Sequence, residues 1–212
     1  PDRTREEAFT WFSEFLNELK GAYITAIDSG TTPDDMDIIH THSPFVLCGN
    51  NQPLTSYCTA LGTFSAITGA CKTLNIPLNG ARVHLQGVGA VGLELLKLLH
   101  AKGAEVYTYE IDAQRSDAAK EYATTVNSID ELYNTPSDIW SPCALANTVT
   151  TNTVHKIQTK IICGAANNQL SSETLAEHLH RRGVHYITDT LANGGGLIYA
   201  SGMYRKLDMR DI

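Results

Sequence analysis

The stretch Gln86-Gly87-Val88-Gly89-Ala90-Val91-Gly92 decides the fold, because of what stands on either side of it. Before it, Arg82-Val83-His84-Leu85-Gln86 is short, β-branched at its start and reads as a strand. After it, Leu93-Glu94-Leu95-Leu96-Lys97-Leu98-Leu99-His100 is dense in strong helix formers. A strand, a G-x-G-x-x-G turn and a helix together form a dinucleotide-binding fingerprint. Gly87 permits the tight turn, Gly89 lets backbone approach a pyrophosphate, and Gly92 lets helix pack on strand. The exposed N–H groups and dipole of the helix start then hold the phosphates. A second apolar run, Glu105-Val106-Tyr107-Thr108-Tyr109, ends in Glu110, roughly 20 residues past the glycines, where an acid meets the adenosine ribose.

Outward from this core the chain alternates strand and helix. Strand 82–86 leads to helix 90–101, strand 105–109, helix 115–123 and a short strand near Ile139-Trp140. A segment from Asn152 to Ile157 precedes strand 161–163, helix 172–182, strand 185–187 and a final helix from about Gly196. Such alternation predicts an α/β fold, a Rossmann-type doubly wound parallel sheet with helices on both faces. Upstream, Thr4-Arg5-Glu6-Glu7 fits a capping box, and Phe9, Phe12, Leu16 and Leu19 share one helical face that Gly21 ends. Ala22–Ala26 reads as extended and delivers Asp28 into the loop 29–33, followed by an irregular region to Pro53. A long helix runs from Thr55 to about Leu74, with Ala60, Leu61, Phe64, Ile67 and Cys71 on its buried side. The first part thus forms a helical and extended strip beside the dinucleotide fold, and the expected domains are 1–52, 53–202 and 203–212.

Composition narrows the function classes. A length of 212 residues suffices for one large α/β core with an appendage, and no apolar run reaches the roughly 18 residues that span a membrane. A net charge of -7, with acids and bases mixed, argues against a nucleic-acid surface. The five cysteines are odd in number and none share a C-x-x-C spacing, so neither a disulfide framework nor a thiolate zinc site is expected, and a reducing cytoplasm is. His40-x-His42 and His178-x-His180 point to different helix faces and lack a third ligand, so no metal is expected. Starting at Pro1 and ending close to a helical run, the sequence reads as a piece of something longer.

Three polar clusters follow strands where loops leave their C-terminal ends: Ser141–Leu145, Gly164–Leu170, and Asp189–Leu197 with Ala192-Asn193-Gly194-Gly195-Gly196 inside it. With these in place the chain resembles the Glu/Leu/Phe/Val amino-acid dehydrogenase family, most closely its leucine, valine and phenylalanine members, over almost its whole length. Tyr23–Thr32 looks like the loop bearing that family's catalytic aspartate, Asp34-Asp35-Met36-Asp37 follows as in leucine enzymes, and Pro53–Tyr57 looks like the helix start facing the cofactor. Gln86–Gly89, Ser141–Leu145, Gly164–Leu170 and Asn193–Gly196 match family motifs in the same order.

The resemblance implies reversible NAD-dependent oxidative deamination of an L-amino acid to a 2-oxo acid and ammonia. It assigns proton transfer to Asp28 and cofactor contacts to Thr55, the 87–92 turn, Glu110, Cys143, Ala144, Leu145, Ala165, Ala166 and Asn167. It places Ala26, Asn167, Asn193, Leu197 and Ala200 around an apolar substrate. It further implies a homo-oligomer in the full-length protein, with small molecules rather than nucleic acid or membrane as partners. The alternative is a non-catalytic dinucleotide-binding module of the same fold. Departures are the absent glycine-rich motif that carries two lysines, the shortened C-terminal helices after Met203-Tyr204, and Cys58 and Ala90 where glycine and asparagine are usual. Glu110 favours NAD over NADP by repelling a 2′-phosphate, while Arg115 stands near enough in sequence to accept one.

Overall fold

A computed structural model of the chain describes residues 4–28, 30–50 and 54–208. Two compact units emerge, one formed by Pro1–Thr55 with Leu197–Ile212 and the other by Ser56–Gly196. The chain passes from one unit to the other after Thr55 and returns after Gly196. Pro53 and Ser29 of the quoted motifs lie outside the described residues.

The first unit opens with α1 (Arg5–Glu18), and its capping box forms as the sequence predicts: Thr4 Oγ1 accepts from the Glu7 N–H and Glu7 accepts from the Thr4 N–H. Lys20 and Gly21 both take positive φ at its end. Within Ala22–Ala26 the structure forms a single bridge residue, Thr25, which pairs with Val46 in parallel, its N–H donating to the Phe45 carbonyl at 3.0 Å. One expectation fails here. The region after Pro33, read as irregular, contains α2 (Pro33–His42). Pro33 opens that helix, where proline's missing N–H costs nothing, and Thr32 and Asp35 form a second capping box. Met36 and Ile39 of α2 pack with Leu16 and Val46 into a small core flanked by Phe9, Phe12, Ile27 and Phe45.

The second unit begins with α3 (Thr55–Thr73) and continues through β1 (Arg82–Gln86), α4 (Ala90–Ala101), β2 (Glu105–Tyr109), α5 (Ala113–Ala119), β3 (Thr124–Thr125), α6 (Ile129–Tyr133) and β4 (Ile139–Pro142). It ends with β5 (Ile161–Ile162), α7 (Thr174–Arg181), β6 (His185–Tyr186), α8 (Asp189–Ala192) and α9 (Gly195–Tyr204), whose residues from Leu197 onward belong to the first unit. All strand pairs are parallel, in the order β3-β2-β1-β4-β5-β6. This is the order of the doubly wound dinucleotide-binding fold, with its reversal between β1 and β4.

Strand alternation supplies both faces of the sheet. Val83, Leu85, Val106, Ile139 and Ile161 pack with Ala60, Ile67 and Cys71 of α3 and Leu95, Leu96 and Leu99 of α4. On the opposite face Trp140 and Ile162 pack with Leu132 and Tyr133 of α6 and Leu175 and Leu179 of α7. Leu61, expected on the buried side of α3, is instead 41% exposed. The buried stripe runs through Ala60, Thr63, Ile67 and Cys71, and Leu61 lies one residue, about 100°, around from it. Three short elements escape the sequence reading: β3, α6, and α8 in what was read as a polar loop.

Candidate functional site

At the C-terminal edge of β1 the chain enters the glycine turn. The Gly87 N–H donates to the Tyr109 carbonyl at 2.9 Å, which extends the β1–β2 pairing by one residue, and φ at Gly87 is +94°. A β-carbon there would also stand 3.0 Å from the backbone of Ala144 in the loop after β4. At Gly92 a β-carbon would come within 2.3 Å of the Gly87 carbonyl oxygen, so helix and turn close together only around a residue without a side chain. Gly89 is the N-cap of α4, makes no side-chain cap, and is followed by Ala90, Val91 and Gly92 with no acid in the first turn. The N–H groups of that turn are therefore left for an external acceptor.

Glu110, at the end of β2, faces this turn. Its Oε2 accepts from the Val88 N–H at 2.8 Å and its Oε1 from the Asp112 N–H at 3.0 Å. Asp112 caps α5 through the Arg115 N–H at 2.9 Å, which leaves the Arg115 side chain projecting from the helix start. The carboxylate is thereby fixed at the rim of the glycine turn, with lone pairs remaining for further donors.

The loops after β4, β5 and β6 stand in register beside it. The Cys143 N–H donates to the Gln86 carbonyl at 2.8 Å, and the Ala166 N–H to the Pro142 carbonyl at 2.9 Å. Cys143 Sγ accepts weakly from the Ala165 N–H at 3.5 Å, and burial pushes its thiol up to about 11, so it packs rather than reacts. Fully buried Gln169 ties the 164–169 turn with its Nε2, donating to the Gly164 and Ala166 carbonyls at 2.7 and 3.0 Å. Asn193 Nδ2 donates to Asn167 Oδ1 at 2.6 Å and to the Ala165 carbonyl at 3.3 Å, and the Asp189 carboxylate accepts from the Asn168 N–H. Cys58 lies under the last of these loops: a β-carbon on Gly195 would meet its carbonyl at 2.0 Å.

Gly87, Val88, Gly89, Ala90, Val91, Gly92, Glu110, Cys143, Ala144, Ala165, Ala166, Asn167 and Asn193 are thus gathered at the strand ends of one unit. Leu145 belongs to the same edge and is 76% exposed. Asp28, Ala26, Thr55, Leu197 and Ala200 belong to the other unit. Asp28 is exposed, in a turn where its N–H donates to Thr31 Oγ1 and its carbonyl accepts from the same hydroxyl at 2.7 Å. Ala26 is exposed, Thr55 half-buried, Leu197 74% exposed and Ala200 3%. Sequence reasoning missed Asp189 as the tie between two loops; its place after Thr188 at a helix start was the available signal. Gln169 was read only as part of a motif, because nothing in sequence marks a turn glutamine as buried. Among the described residues no cluster of three metal-ligating side chains forms, and no helix is long and apolar enough to cross a membrane.

A family model for Glutamate/Leucine/Phenylalanine/Valine dehydrogenase matches residues 53–113 and 108–204. Leucine dehydrogenase from Bacillus cereus is 37% identical over 208 residues, covering 93% of this chain and 56% of that protein. L-tryptophan dehydrogenase from Nostoc punctiforme is 34% identical over 205 residues, with 93% of this chain and 58% of that one covered. The crystal structure of L-tryptophan dehydrogenase from Nostoc punctiforme superposes with a TM-score of 0.80 at 31% identity over 99% of this chain and 62% of its own. Hetero-hexameric glutamate dehydrogenase from Thermus thermophilus, at 19% identity and a TM-score of 0.76, shares the fold. The chain spans little more than half the length of the curated relatives it matches. On these matches and on the strand order, the chain belongs to the Glutamate/Leucine/Phenylalanine/Valine dehydrogenase family.

Proposed function

We propose that this chain is the NAD-binding part, with an adjoining strip of catalytic residues, of an enzyme that oxidatively deaminates an apolar L-amino acid to a 2-oxo acid and ammonia. The carrying observation is the cradle at the β1–β4 reversal, where Gly87 takes a positive φ, Gly92 leaves no room for a β-carbon and the first turn of α4 holds no acid. That cradle fits a dinucleotide. When bound, the nicotinamide would accept the hydride from the substrate α-carbon.

The chain's own residues would do the rest of the work. The open N–H groups of Ala90 and Val91 bind pyrophosphate, and Glu110 accepts from the adenosine ribose with its remaining lone pairs. Asn167, held by Asn193, orients the other half of the dinucleotide. Asp28 takes the proton of the substrate amino group and returns it as the imine is hydrated and ammonia leaves. Leu197, Ala200 and Ala26 offer no partner to a charged distal group, so glutamate would lose the interactions of its second carboxylate. The family's lysine-bearing motif has no counterpart among these 212 residues, so their turnover is expected to be orders of magnitude below that of an enzyme that carries it. The whole protein would be a cytoplasmic homo-oligomer.

NADH formation measured at 340 nm with leucine, phenylalanine and glutamate, beside calorimetry with NAD and NADP, tests this reading. NAD binding with slow, apolar-selective turnover supports it. Faster turnover of glutamate than of leucine or phenylalanine would overturn the substrate class, and tighter NADP than NAD would overturn the cofactor preference.

A further inference from the structure

Arg115 stands apart from the other cations around the candidate site. Its Nη1 is 3.7 Å from the position a β-carbon on Gly89 would occupy, so the guanidinium lies over the second glycine of the turn. Lys97 and Lys120 are paired with Glu94 and Asp117 at 2.8 and 3.0 Å, whereas the guanidinium of Arg115 has no hydrogen-bond or ion-pair partner among the described residues. Its backbone N–H is held by Asp112, which anchors the root of the side chain at the start of α5. The nearby carboxylate of Glu110 is turned to the Val88 and Asp112 N–H groups. An unpaired guanidinium over the uncapped start of α4 is a cation without an anion, beside the open N–H groups of Ala90 and Val91.

We infer that Arg115 is a phosphate ligand of the bound dinucleotide, closing over the glycine turn from the α5 side. This rests on the dinucleotide reading above and adds a residue that neither the glycine fingerprint nor the ribose-binding acid supplies. Guanidinium and phosphate match in bidentate geometry, and the contact would form where the pyrophosphate meets the α4 N-terminus. A 2′-phosphate near Glu110 offers the same chemistry, and the two sources separate by experiment.

The test is calorimetric titration of the whole chain, its Arg115→Ala variant and its Arg115→Gln variant with NAD and NADP, at low and high salt. Circular dichroism of each variant verifies the fold; the side chain is exposed, so little change is expected. Both variants should bind NAD and NADP about tenfold more weakly at low salt, the scale of one charge-assisted hydrogen bond, and the loss should shrink at high salt. A loss confined to NADP would place the phosphate at the 2′ position and overturn the pyrophosphate contact. Affinities within about twofold of the parent for both dinucleotides would overturn it, as would a loss that salt does not change. If the unaltered chain binds neither dinucleotide, the dinucleotide reading falls and this inference with it. If it binds and the variants match it, only the inference falls.

Discussion

The two units of this chain are held by different means. The Ser56–Gly196 unit buries apolar layers on both faces of a six-stranded sheet, with Leu85, Leu95, Leu96, Leu99, Ile139 and Ile161 fully buried on one side alone. Among its described residues the Pro1–Thr55 segment gathers four buried apolar residues into one cluster, and polar ties clasp it. Arg5 grips Asp35 with two hydrogen bonds of 2.7 Å and reaches the Gly30 carbonyl at 2.8 Å; Asn50 bridges Asp34 and Asp37 at 2.7 Å. Layered burial tolerates loss of any one polar contact but not a change of volume at a close approach. A clasp around a small core has the reverse sensitivities. The chain carries its own reporters of this contrast: Trp11 is 56% exposed on α1, and Trp140 is buried in the sheet and stacked on Tyr133 with ring centroids 5.1 Å apart.

The largest effect is expected from Gly92→Ala. Its β-carbon would meet the Gly87 carbonyl oxygen at 2.3 Å, backbone against backbone, so the turn must open. Overpacking of this kind costs about 3 kcal/mol, and dinucleotide binding should vanish with the turn. Urea unfolding followed by Trp140 emission in a Trp11→Phe background measures the first, and calorimetry the second. Stability within about 0.5 kcal/mol of the parent would show that the turn is looser than the geometry implies.

Acid should separate the two units. His84 lies buried in the sheet between Tyr107 and Trp140, and burial, aided by the charge of Arg82, pushes its imidazole down to about 4. The unfolded chain would bind a proton near pH 6.5, so the sheet unit is fully stable above that pH and loses stability as pH falls from there to about 4. The loss amounts to about 3 kcal/mol. In the other unit, Arg5 and the Thr32 donors hold the Asp35 carboxyl well below the usual carboxylate range. Its contribution is present above the ordinary carboxylate pKa and disappears only as pH falls below that value. Trp140 emission should therefore report destabilisation at higher pH than hydrogen exchange across α1 and α2 does, and His84→Phe should remove the first transition. Coincident transitions, or an unchanged acid profile in His84→Phe, would contradict the assignment.

How much of this was legible in the sequence follows the same contrast. The sheet unit announced itself because β1 and β2 stand between glycines and strong helix formers, and Gly87 and Gly92 mark a turn closed to side chains. The clasped unit was read only in part. Thr32-Pro33-Asp34-Asp35 carries every sign of a helix start, yet Pro33 beside Gly30 reads as a loop unless its position at the first helical residue is weighed. Leu61 was misplaced because α3 is apolar over most of its circumference, so composition cannot say which side faces the sheet. The loop ties through Asp189 and Asn193 depend on strands that are adjacent in space and not in sequence, and no local pattern encodes them.

Arg5→Met should act only on the clasp. It removes the bidentate partner of Asp35, so exchange protection across α1 and α2 should fall measurably while Trp140 unfolding is unchanged; a shift in both would mean the units do not unfold separately. The smallest effect is expected from Asn193→Ala, which leaves the glycine turn intact and frees Asn167. NAD should bind about threefold more weakly while ADP-ribose is unaffected. Equal losses for the two ligands would remove Asn193 from the nicotinamide half.

The central claim is that the 87–92 turn, set between β1 and β4 with Glu110 at its rim, suffices for these 212 residues to bind a nicotinamide dinucleotide. Calorimetric titration of the unaltered chain with NAD tests it most directly. Saturable binding of one NAD per chain is the predicted result. No saturable heat from a chain whose circular dichroism shows the α/β fold intact would contradict it.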